Sequence, residues 1–336
     1  MRHLPTIILL FSMLTGCLQG TSGQQGNLNF YDQTKTPDFW NTDRQLDAPV
    51  ATGANLQIMV KHTSDLTVVQ TIDSVDFNPA ICQKLSTANG IVKLKAKQEG
   101  ITNMTVNADD LTDNITLQVK TPTTQQIEPR PWQNLYIKPD MFSNGLAVLP
   151  GGKIWLFGWQ MDEKNNHLTG YGASKWTMDN DVFQSKPVQD SDYLELTAIK
   201  NGKSSLHYGK AKYDLWSENE DAAKTMSFYD ALGEIPGNNF NIKYGSPTVI
   251  YIALYDNDGR LLVGELSTMP QFTSSDNSII KTSAPTQKDL DNKDPKISWN
   301  PSHFVLIQCQ VGTGTTDVTV TWSKFTGKFT VNCIEN

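Results

Sequence analysis

The sequence has too few basic residues to suggest a nucleic-acid-binding surface. Its 28 Lys and Arg residues are outnumbered by 35 Asp and Glu residues, which gives a formal net charge of -7. Binding to nucleic acid requires clustered Lys and Arg that neutralise phosphates. The composition therefore argues against DNA or RNA as a partner, and the mildly acidic balance mainly favours solubility.

Motifs of the common catalytic and metal sites are also missing. The five histidines are scattered, without the spacing of a ligand pair or a triad. No GxSxG, HExxH or P-loop motif occurs. Nothing singles out one pair among the many carboxylates. The sequence thus predicts a protein that is not an enzyme and that needs no cofactor.

Long apolar runs are absent, and the run at the N-terminus is too short to span a bilayer as a permanent helix. TIILLFSML ends in LTGC, where an apolar residue and two small ones precede Cys17. This pattern resembles a bacterial lipoprotein signal, which implies a signal peptide over residues 1–16 and a lipid anchor on Cys17. Leu18, rather than Asp, then implies sorting to the outer membrane. A plain secretory peptide with a chance cysteine is the alternative.

Cysteine is scarce in the rest of the chain, where only Cys82, Cys309 and Cys333 occur. No CxxC or Cys/His spacing indicates zinc. In an exported protein, the two cysteines that are close in sequence can form a bridge, which leaves the third over.

Helical periodicity is nearly absent as well, and short alternating runs replace it. After a Gly-, Ser-, Gln- and Asn-rich start, which predicts a flexible tether over residues 17–44, runs such as LQIMV, IVKLKAK, IWLFGW and VIYIALY have the length and composition of strands. The exception is residues 216–235, where Ser217 and Glu220 form a capping pattern for a helical turn. Many short strands with close turn signals predict an all-β chain of sandwiches.

Two internal alignments indicate repeats. The segment from Gly151 lies ungapped on the segment from Gly245, and Asp162 then meets Asp256. Independently, ITNMTVNADDLTDNITLQV lies ungapped on TTDVTVTWSKFTGKFTVNC. We therefore expect three domains, at 45–121, at 130–236 with an insertion at 211–232, and at 238–336.

These segments resemble the bacterial immunoglobulin-like domain of group 2. ALYDNDGRLLVG followed by QFTSSDNSII carries the resemblance best, and WQMDEKNNHLTG and EGITNMTVNADD carry it in the other copies. The first copy lacks the Asp-headed hairpin. The resemblance implies tandem immunoglobulin-like β-sandwiches that act as a spacer, an adhesion module or an assembly part, without catalytic residues.

The Asp-headed stretch DNDG at 256–259 first suggests calcium. An EF-hand loop needs Gly at position 6 and Glu at position 12, whereas Gly259 comes at position 4 and Ser267 at position 12. In the aligned copy, Lys164 stands opposite Asp258. Because Asn and Gly tolerate positive φ, the stretch predicts a hairpin turn and no metal site.

Aromatic residues give the best candidate for ligand binding. KIWLFGWQ places Trp155, Phe157 and Trp159 on one face of a strand. If exposed, they could stack on sugar rings, which makes a glycan-binding surface lipoprotein the alternative function. The other interpretation is that this face packs against a core or a neighbouring domain.

Cys309 and Cys333 fall at positions that are Ala96 and Val119 in the first copy. Two core positions changed to cysteine in one domain predict a disulfide, whereas Cys82 is expected to be buried and free. We expect a lipid-anchored protein of the bacterial outer membrane. It would serve as a structural, adhesion or protein-interaction module whose partner is the membrane together with an unidentified protein or glycan.

Overall fold

The computed structural model describes residues 24–34, 44–130, 139–230, 237–285, 303–322 and 324–335. Nearly all regular structure in these ranges is β-strand, with two short 3-10 helices at Pro139–Phe142 and Glu220–Ala222. The strands are β1 (Gln24–Gln25), β2 (Leu28–Asp32), β3 (Arg44–Gln45), β4 (Val50–Ala51), β5 (Asn55–His62), β6 (Ile72–Asp76), β7 (Cys82–Ala88), β8 (Ile91–Ala96), β9 (Gly100–Ala108), β10 (Leu111–Lys120), β11 (Thr124–Arg130), β12 (Leu146–Val148), β13 (Lys153–Met161), β14 (His167–Leu168), β15 (Trp176–Met178), β16 (Phe183–Pro187), β17 (Tyr193–Ala198), β18 (Gly202–Tyr208), β19 (Ala211–Ser217), β20 (Thr225–Tyr229), β21 (Asn239–Lys243), β22 (Thr248–Tyr255), β23 (Leu261–Val263), β24 (Gln271–Ser274), β25 (Ile280–Ser283), β26 (Phe304–Cys309), β27 (Gly314–Trp322) and β28 (Phe325–Ile334).

The chain forms two compact units. Unit 1 holds the described residues up to Gln33, residues 44–121 and His167–Thr169, and unit 2 holds Pro122–Asn166 and the chain from Gly170 onwards. Unit 1 has two sheets, with strand orders β1-β2-β5-β8-β7 and β4-β10-β9-β6. Its core is built by alternating side chains, as the wholly buried Leu56, Ile58 and Val60 of β5 show.

The expectation of a flexible tether up to residue 44 is wrong for its described part. Leu28–Asp32 forms β2, which pairs antiparallel with β5. Leu28 and Phe30 are fully buried. Their burial gives this segment a place in the sheet, although its flanks are polar. The signal peptide and Cys17 lie outside the described residues.

Unit 2 contains three sheets in layers. The first has the order β11-β13-β17-β16, the second is nine-stranded with the path β15-β18-β19-β12-β23-β22-β26-β25 and β20 on β22, and the third is β21-β28-β27-β24. The nine-stranded sheet is the middle layer, because its two faces contribute to different cores. Leu261 points into the core shared with the first sheet, and its neighbour Leu262 points into the core shared with the third. One continuous sheet thus links both halves of unit 2.

The strand order repeats three times in the described residues, as strands A-B-E-D in one sheet against A′-G-F-C in the other. These are β2-β5-β8-β7 against β4-β10-β9-β6 in the first copy, β11-β13-β17-β16 against β12-β19-β18-β15 in the second, and β20-β22-β26-β25 against β21-β28-β27-β24 in the third. In each copy the first strand of the second sheet runs parallel to the last hairpin strand: β4 with β10, β12 with β19 and β21 with β28. The paired sheets ABED and CFG define the immunoglobulin sandwich. The fold is therefore all-β and immunoglobulin-like.

The last hairpin of each copy also keeps one register. Gly100 pairs with Val119, Gly202 with Ser217, and Gly314 with Cys333. The ungapped alignment of 101–119 on 315–333 is therefore confirmed at the level of strand pairing.

Two further expectations about residues 211–238 are corrected by this order. Ala211–Ser217 is no insertion, because β19 is the counterpart of β10 and β28, and helical structure nearby is confined to Glu220–Ala222. The boundary expected between 236 and 238 falls inside unit 2, where β20 and β22 belong to the same sheet.

Candidate functional site

The aromatic face predicted on β13 lies on the outer side of the first sheet of unit 2. Ile154 and Leu156 are fully buried in the core, so Trp155, Phe157 and Trp159 point to the opposite face. Strand β17 adds Tyr193 opposite Phe157. The alternation of a strand thus brings together the three predicted rings and a fourth that the sequence analysis missed.

Carboxylates hold both indole N–H groups on this face. Trp159 Nε1 donates to Glu128 Oε2 at 2.7 Å, and Trp155 Nε1 lies 3.4 Å from Glu195 Oε2. Each carboxylate also pairs with a base, since Arg130 is 2.8 Å from Glu128 and a lysine lies near Glu195. These contacts fix the orientation of both indoles.

The rings form an inclined cluster. Phe157 stands at 65° to Trp159 and at 63° to Tyr193, with centroid distances of 4.1 and 4.5 Å. Trp155 is inclined by 52° to Tyr193. Phe157 and Tyr193 are each only 4% exposed. Stacking on a sugar needs an exposed ring face, which Phe157 and Tyr193 do not offer. Their edge-to-face packing instead stabilises the aromatic cluster itself.

The Asp-headed stretch at 256 is a turn. Oδ1 of Asp256 accepts hydrogen bonds from the backbone N–H groups of Asp258 and Arg260 at 2.8 and 2.9 Å. Asp162 does the same with Lys164 and Asn166, both at 2.9 Å. Asn165 and Gly259 occupy the same place in the two turns with φ of 60° and 76°. The predicted turn and the predicted alignment are both confirmed.

A buried ionic cluster includes Asp256 of this turn and lies at the ends of the central strands of the nine-stranded sheet. Arg260 Nε donates to Asp256 Oδ2 at 2.5 Å, and Arg260 Nη2 donates to Glu218 Oε1 at 2.6 Å. The guanidinium carbon lies 4.4 Å from the centre of the Trp216 ring. Burial raises the pKa of Glu218, while Arg260 opposes the rise. The cluster joins the end of β19 to the start of β23.

A second buried polar network surrounds Asp192. Tyr208 donates to its Oδ2 at 2.7 Å, and the N–H of Gly172 donates to its Oδ1 at 2.9 Å. Gln160 Nε2 donates to Tyr208 Oη at 2.8 Å. Burial raises the pKa of Asp192 to about 6, and the hydrogen bonds from Tyr208 and Gly172 only partly oppose this. Sequence reasoning missed this network, since no local pattern links its members.

His303 is a buried link between strands. Its Nδ1 lies 3.1 Å from the carbonyl oxygen of Ile252, and its Nε2 lies 3.0 Å from that of Gly264. Burial lowers the pKa of His303, although both carbonyls favour the protonated ring. Its contacts with two carbonyls make it a structural residue.

The predicted disulfide is confirmed. Cys309 and Cys333 form a bridge between β26 and β28, hence between two sheets of unit 2, and their Cα atoms are 5.8 Å apart. Cys82 is buried and free, and burial raises the pKa of its thiol to about 11. This thiol is thus kept in its unreactive form.

Among the described residues, no group of three or more His, Cys, Asp or Glu side chains could hold a metal ion. In the same part of the chain, no helix has the length and apolar character needed to cross a bilayer.

Comparisons with known proteins give only distant structural likeness. No family model matches the chain, and no curated protein matches it. Domains 4–9 of the surface layer protein SbsC align with 93% of this chain, which spans 48% of that fragment, at 14% identity and a TM-score of 0.27. The Escherichia coli adhesin FdeC aligns over 84% of this chain and 93% of its own, at 12% identity and a TM-score of 0.25. Invasin, a bacterial integrin-binding protein, aligns over 85% of this chain and 58% of its own, at 10% identity and a TM-score of 0.25.

Proposed function

We propose that this protein is a lipid-anchored component of the bacterial cell envelope whose tandem immunoglobulin-like sandwiches form a structural, adhesion or protein-interaction module. The observation that carries the proposal is the nine-stranded sheet, which joins two sandwiches edge to edge in one unit. Because one hydrophobic core lies on each side of it, bending between these sandwiches would break both cores. A stiff element of this kind suits a protein that holds a binding surface away from a membrane.

The disulfide supports an exported location. Disulfides persist in oxidising compartments and are rare in the cytosol. Cys309 and Cys333 are 2% and 3% exposed, so the bridge lies inside the sandwich. Its position agrees with a protein that folds after export, as the lipoprotein-like signal ending at Cys17 implies.

The anchor is tested by fractionating cells that express the full chain. Wild-type protein is expected in the outer-membrane fraction, with a mature N-terminus at Cys17 that carries lipid mass. Cys17→Ser is expected in the soluble fraction, because the thiol that receives lipid is gone. Cys82→Ala is the matched control and should stay in the membrane. A wild-type protein that keeps residues 1–16, or that lacks lipid on Cys17, contradicts the anchoring.

The interaction role is tested separately on intact cells. Cells that display the wild-type chain are compared with cells that display Cys17→Ser, for attachment to one another and to host extracellular matrix. Attachment that requires the anchored chain supports adhesion. Equal attachment of both strains, together with unchanged envelope integrity under osmotic stress, contradicts both an adhesive and a structural role.

A further inference from the structure

One edge position in unit 2 accepts a parallel strand from the next sandwich. Strand β12 pairs in parallel with β23, with Leu146 opposite Leu261. Leu149 N–H donates to the carbonyl of Val263 at 2.8 Å, and Leu261 N–H donates to that of Gly145 at 3.1 Å. The incoming strand β23 directly follows the turn headed by Asp256.

The same pairing occurs inside unit 1. Thr169 pairs in parallel with Val50 of β4. Its N–H donates to the carbonyl of Pro49 at 2.8 Å, and its carbonyl accepts from Ala51 N–H at 3.0 Å. Thr169 follows the turn headed by Asp162, as Val263 follows the turn headed by Asp256. In both cases the A′ strand, which is β4 or β12, therefore pairs in parallel with a segment that follows a turn.

Strand β21 is the third member of this set. Thr52 N–H, just after β4, donates to the carbonyl of Lys120 at 2.9 Å, and Tyr244 N–H, just after β21, donates to that of Ile334 at 2.9 Å. Lys120 and Ile334 are at the same register position, one residue beyond Val119 and Cys333. Lys243 thus corresponds to Ala51, whose N–H binds the incoming strand in unit 1.

The outer edge of β21 has no strand among the described residues. In a parallel ladder, alternate residues bond to opposite sides. Asn238 and Tyr244 bond to the β28 side, so the N–H groups of Asn241 and Lys243 face the open side. Tyr244 and Ile334, at the end of this edge, are 46% and 39% exposed. In the described part of the chain, the N–H groups of Asn241 and Lys243 therefore have no partner strand, and apolar surface lies beside them.

Among the described residues, the segment that a second copy of this chain would place there is capped. The segment of the first sandwich that corresponds to β23 is Val68–Gln70, because His62 N–H donates to the carbonyl of Thr67 as Asp256 N–H donates to that of Arg260. Asp109 caps this segment by accepting hydrogen bonds from the N–H groups of Gln70 and Thr71, both at 2.8 Å. The third sandwich thus has an edge open to an added strand, whereas the corresponding added strand of the first sandwich is capped. This difference between the first and third sandwiches favours pairing with another domain over pairing of two copies of this chain.

We propose that the open edge of β21 binds, in parallel, the strand that follows the turn of a further immunoglobulin-like domain, which is not one of the three sandwiches in this sequence. This deepens the proposed interaction role and rests on it, but it is independent of the lipid on Cys17. The partner would repeat the pairing that β23 makes with β12. It would need an uncapped strand after a turn, with apolar side chains at alternate positions.

The test uses the full chain with Cys17→Ser, purified in detergent, so that the presence or absence of lipid on Cys17 cannot affect the result. The probe is the same chain carrying Asp109→Gly, which frees the N–H groups of Gln70 and Thr71. Glycine suits this position because the φ of Asp109 is 46°. The immobilised probe is expected to bind the dissolved chain that keeps Asp109. The affinity should be at least about tenfold higher than when the immobilised chain also keeps Asp109.

Lys243→Pro in the Cys17→Ser chain removes the outward N–H of the open edge. Binding to the probe is expected to weaken by about tenfold, because one hydrogen bond is lost. Lys243→Ala keeps that N–H and is the matched control, expected to bind like Lys243. Equal binding by the two variants overturns the proposal, as does a probe that binds nothing. Self-association of the chain that has Asp109, abolished by Lys243→Pro, would assign the edge to a second copy and would overturn the choice of partner.

Amide exchange provides a second readout without the probe. In the free chain, Lys243 N–H is expected to exchange quickly and Tyr244 N–H slowly, because only Tyr244 donates to β28. Addition of the Asp109→Gly probe should slow Lys243 exchange at least about tenfold. Slow exchange of Lys243 in the free chain would show that the edge is already covered and would overturn the proposal.

Discussion

The hydroxyl of Tyr208 donates a 2.7 Å hydrogen bond to Oδ2 of Asp192 inside unit 2. Tyr208 is fully buried and Asp192 is 5% exposed, so a carboxylate is held where water cannot solvate it well. Burial raises the pKa of Asp192 to about 6, although the Tyr208 hydroxyl and the Gly172 N–H favour the ionised form. The pair links the protonation of one carboxyl to the stability of the sandwich.

We expect Asp192 to make unit 2 less stable as the pH rises. Its folded pKa, about 6, lies above its ordinary value of 3.8, so the folded state binds more protons between these values. Its favourable contribution is present below about pH 4 and is lost as the pH passes 6, with a change on the order of 2–3 kcal/mol. The carboxyl carbon of Asp192 should titrate near pH 6 by NMR.

Urea unfolding from pH 4 to 7 measures the same effect. The advantage of the wild type over Asp192→Asn should shrink as the pH rises, because the amide does not titrate. Asp214→Asn is the control of opposite sign, since hydrogen bonds from Lys203 and other groups lower the pKa of Asp214. A stability difference between wild type and Asp192→Asn that stays constant with pH would refute the assignment.

Replacing Arg260 is expected to destabilise unit 2 strongly. Arg260→Met leaves Asp256 and Glu218 without their cation, and these side chains are only 2% and 22% exposed. Loss of one partner from a buried ion pair costs about 3–5 kcal/mol. Chemical denaturation measures the loss.

The exposed pair Arg130–Glu128 provides the control for Arg260. Arg130→Met should cost less than about 1 kcal/mol, because the Arg130 side chain is 46% exposed. Similar losses in the two variants would mean that the Arg260 cluster contributes no more than a surface pair.

A second disulfide should form when cysteines are introduced at the equivalent positions of the second of the three sandwiches. Ala198 pairs with Phe183 as Cys309 pairs with Ile280, and Ser217 pairs with Gly202 as Cys333 pairs with Gly314. The double variant Ala198→Cys/Ser217→Cys is expected to lose both new thiols on oxidation and to gain about 3 kcal/mol. Thiol titration and denaturation with and without reductant test this.

Ser217→Ala alone is the control for that double variant. The Ser217 hydroxyl is buried and has no hydrogen-bond partner among the described residues. Its removal should be neutral or slightly stabilising. If both new cysteines stay reduced under oxidising conditions, the two sandwiches do not share this geometry.

Gly158→Ala should destabilise unit 2 for a steric reason alone. A Cβ at this position would lie 2.6 Å from the Tyr208 ring, and Gly158 has no positive φ. Overpacking of this kind costs about 1–3 kcal/mol. In the background Tyr208→Leu the same change should cost clearly less, and an equal cost in both backgrounds would exclude the ring as the obstacle.

The sequence contained the local rules of this fold. Alternation along KIWLFGWQ predicts which side chains of β13 enter the core, and Asp162 and Asp256 head turns that the ungapped alignment superposes. The alignment also marked Cys309 and Cys333 as core positions. These features depend on residues close in sequence, where side-chain period and turn chemistry suffice.

The sequence by itself therefore determined an all-β chain with repeated hairpins, Asp-headed turns and one disulfide. Only the tertiary structure decided that Leu28–Asp32 joins a sheet, that β12 pairs with β23, and that Asp192 meets Tyr208. The reason is physical. Strand edges and buried polar groups find partners far away in the chain, and no periodicity encodes which of many similar edges will meet.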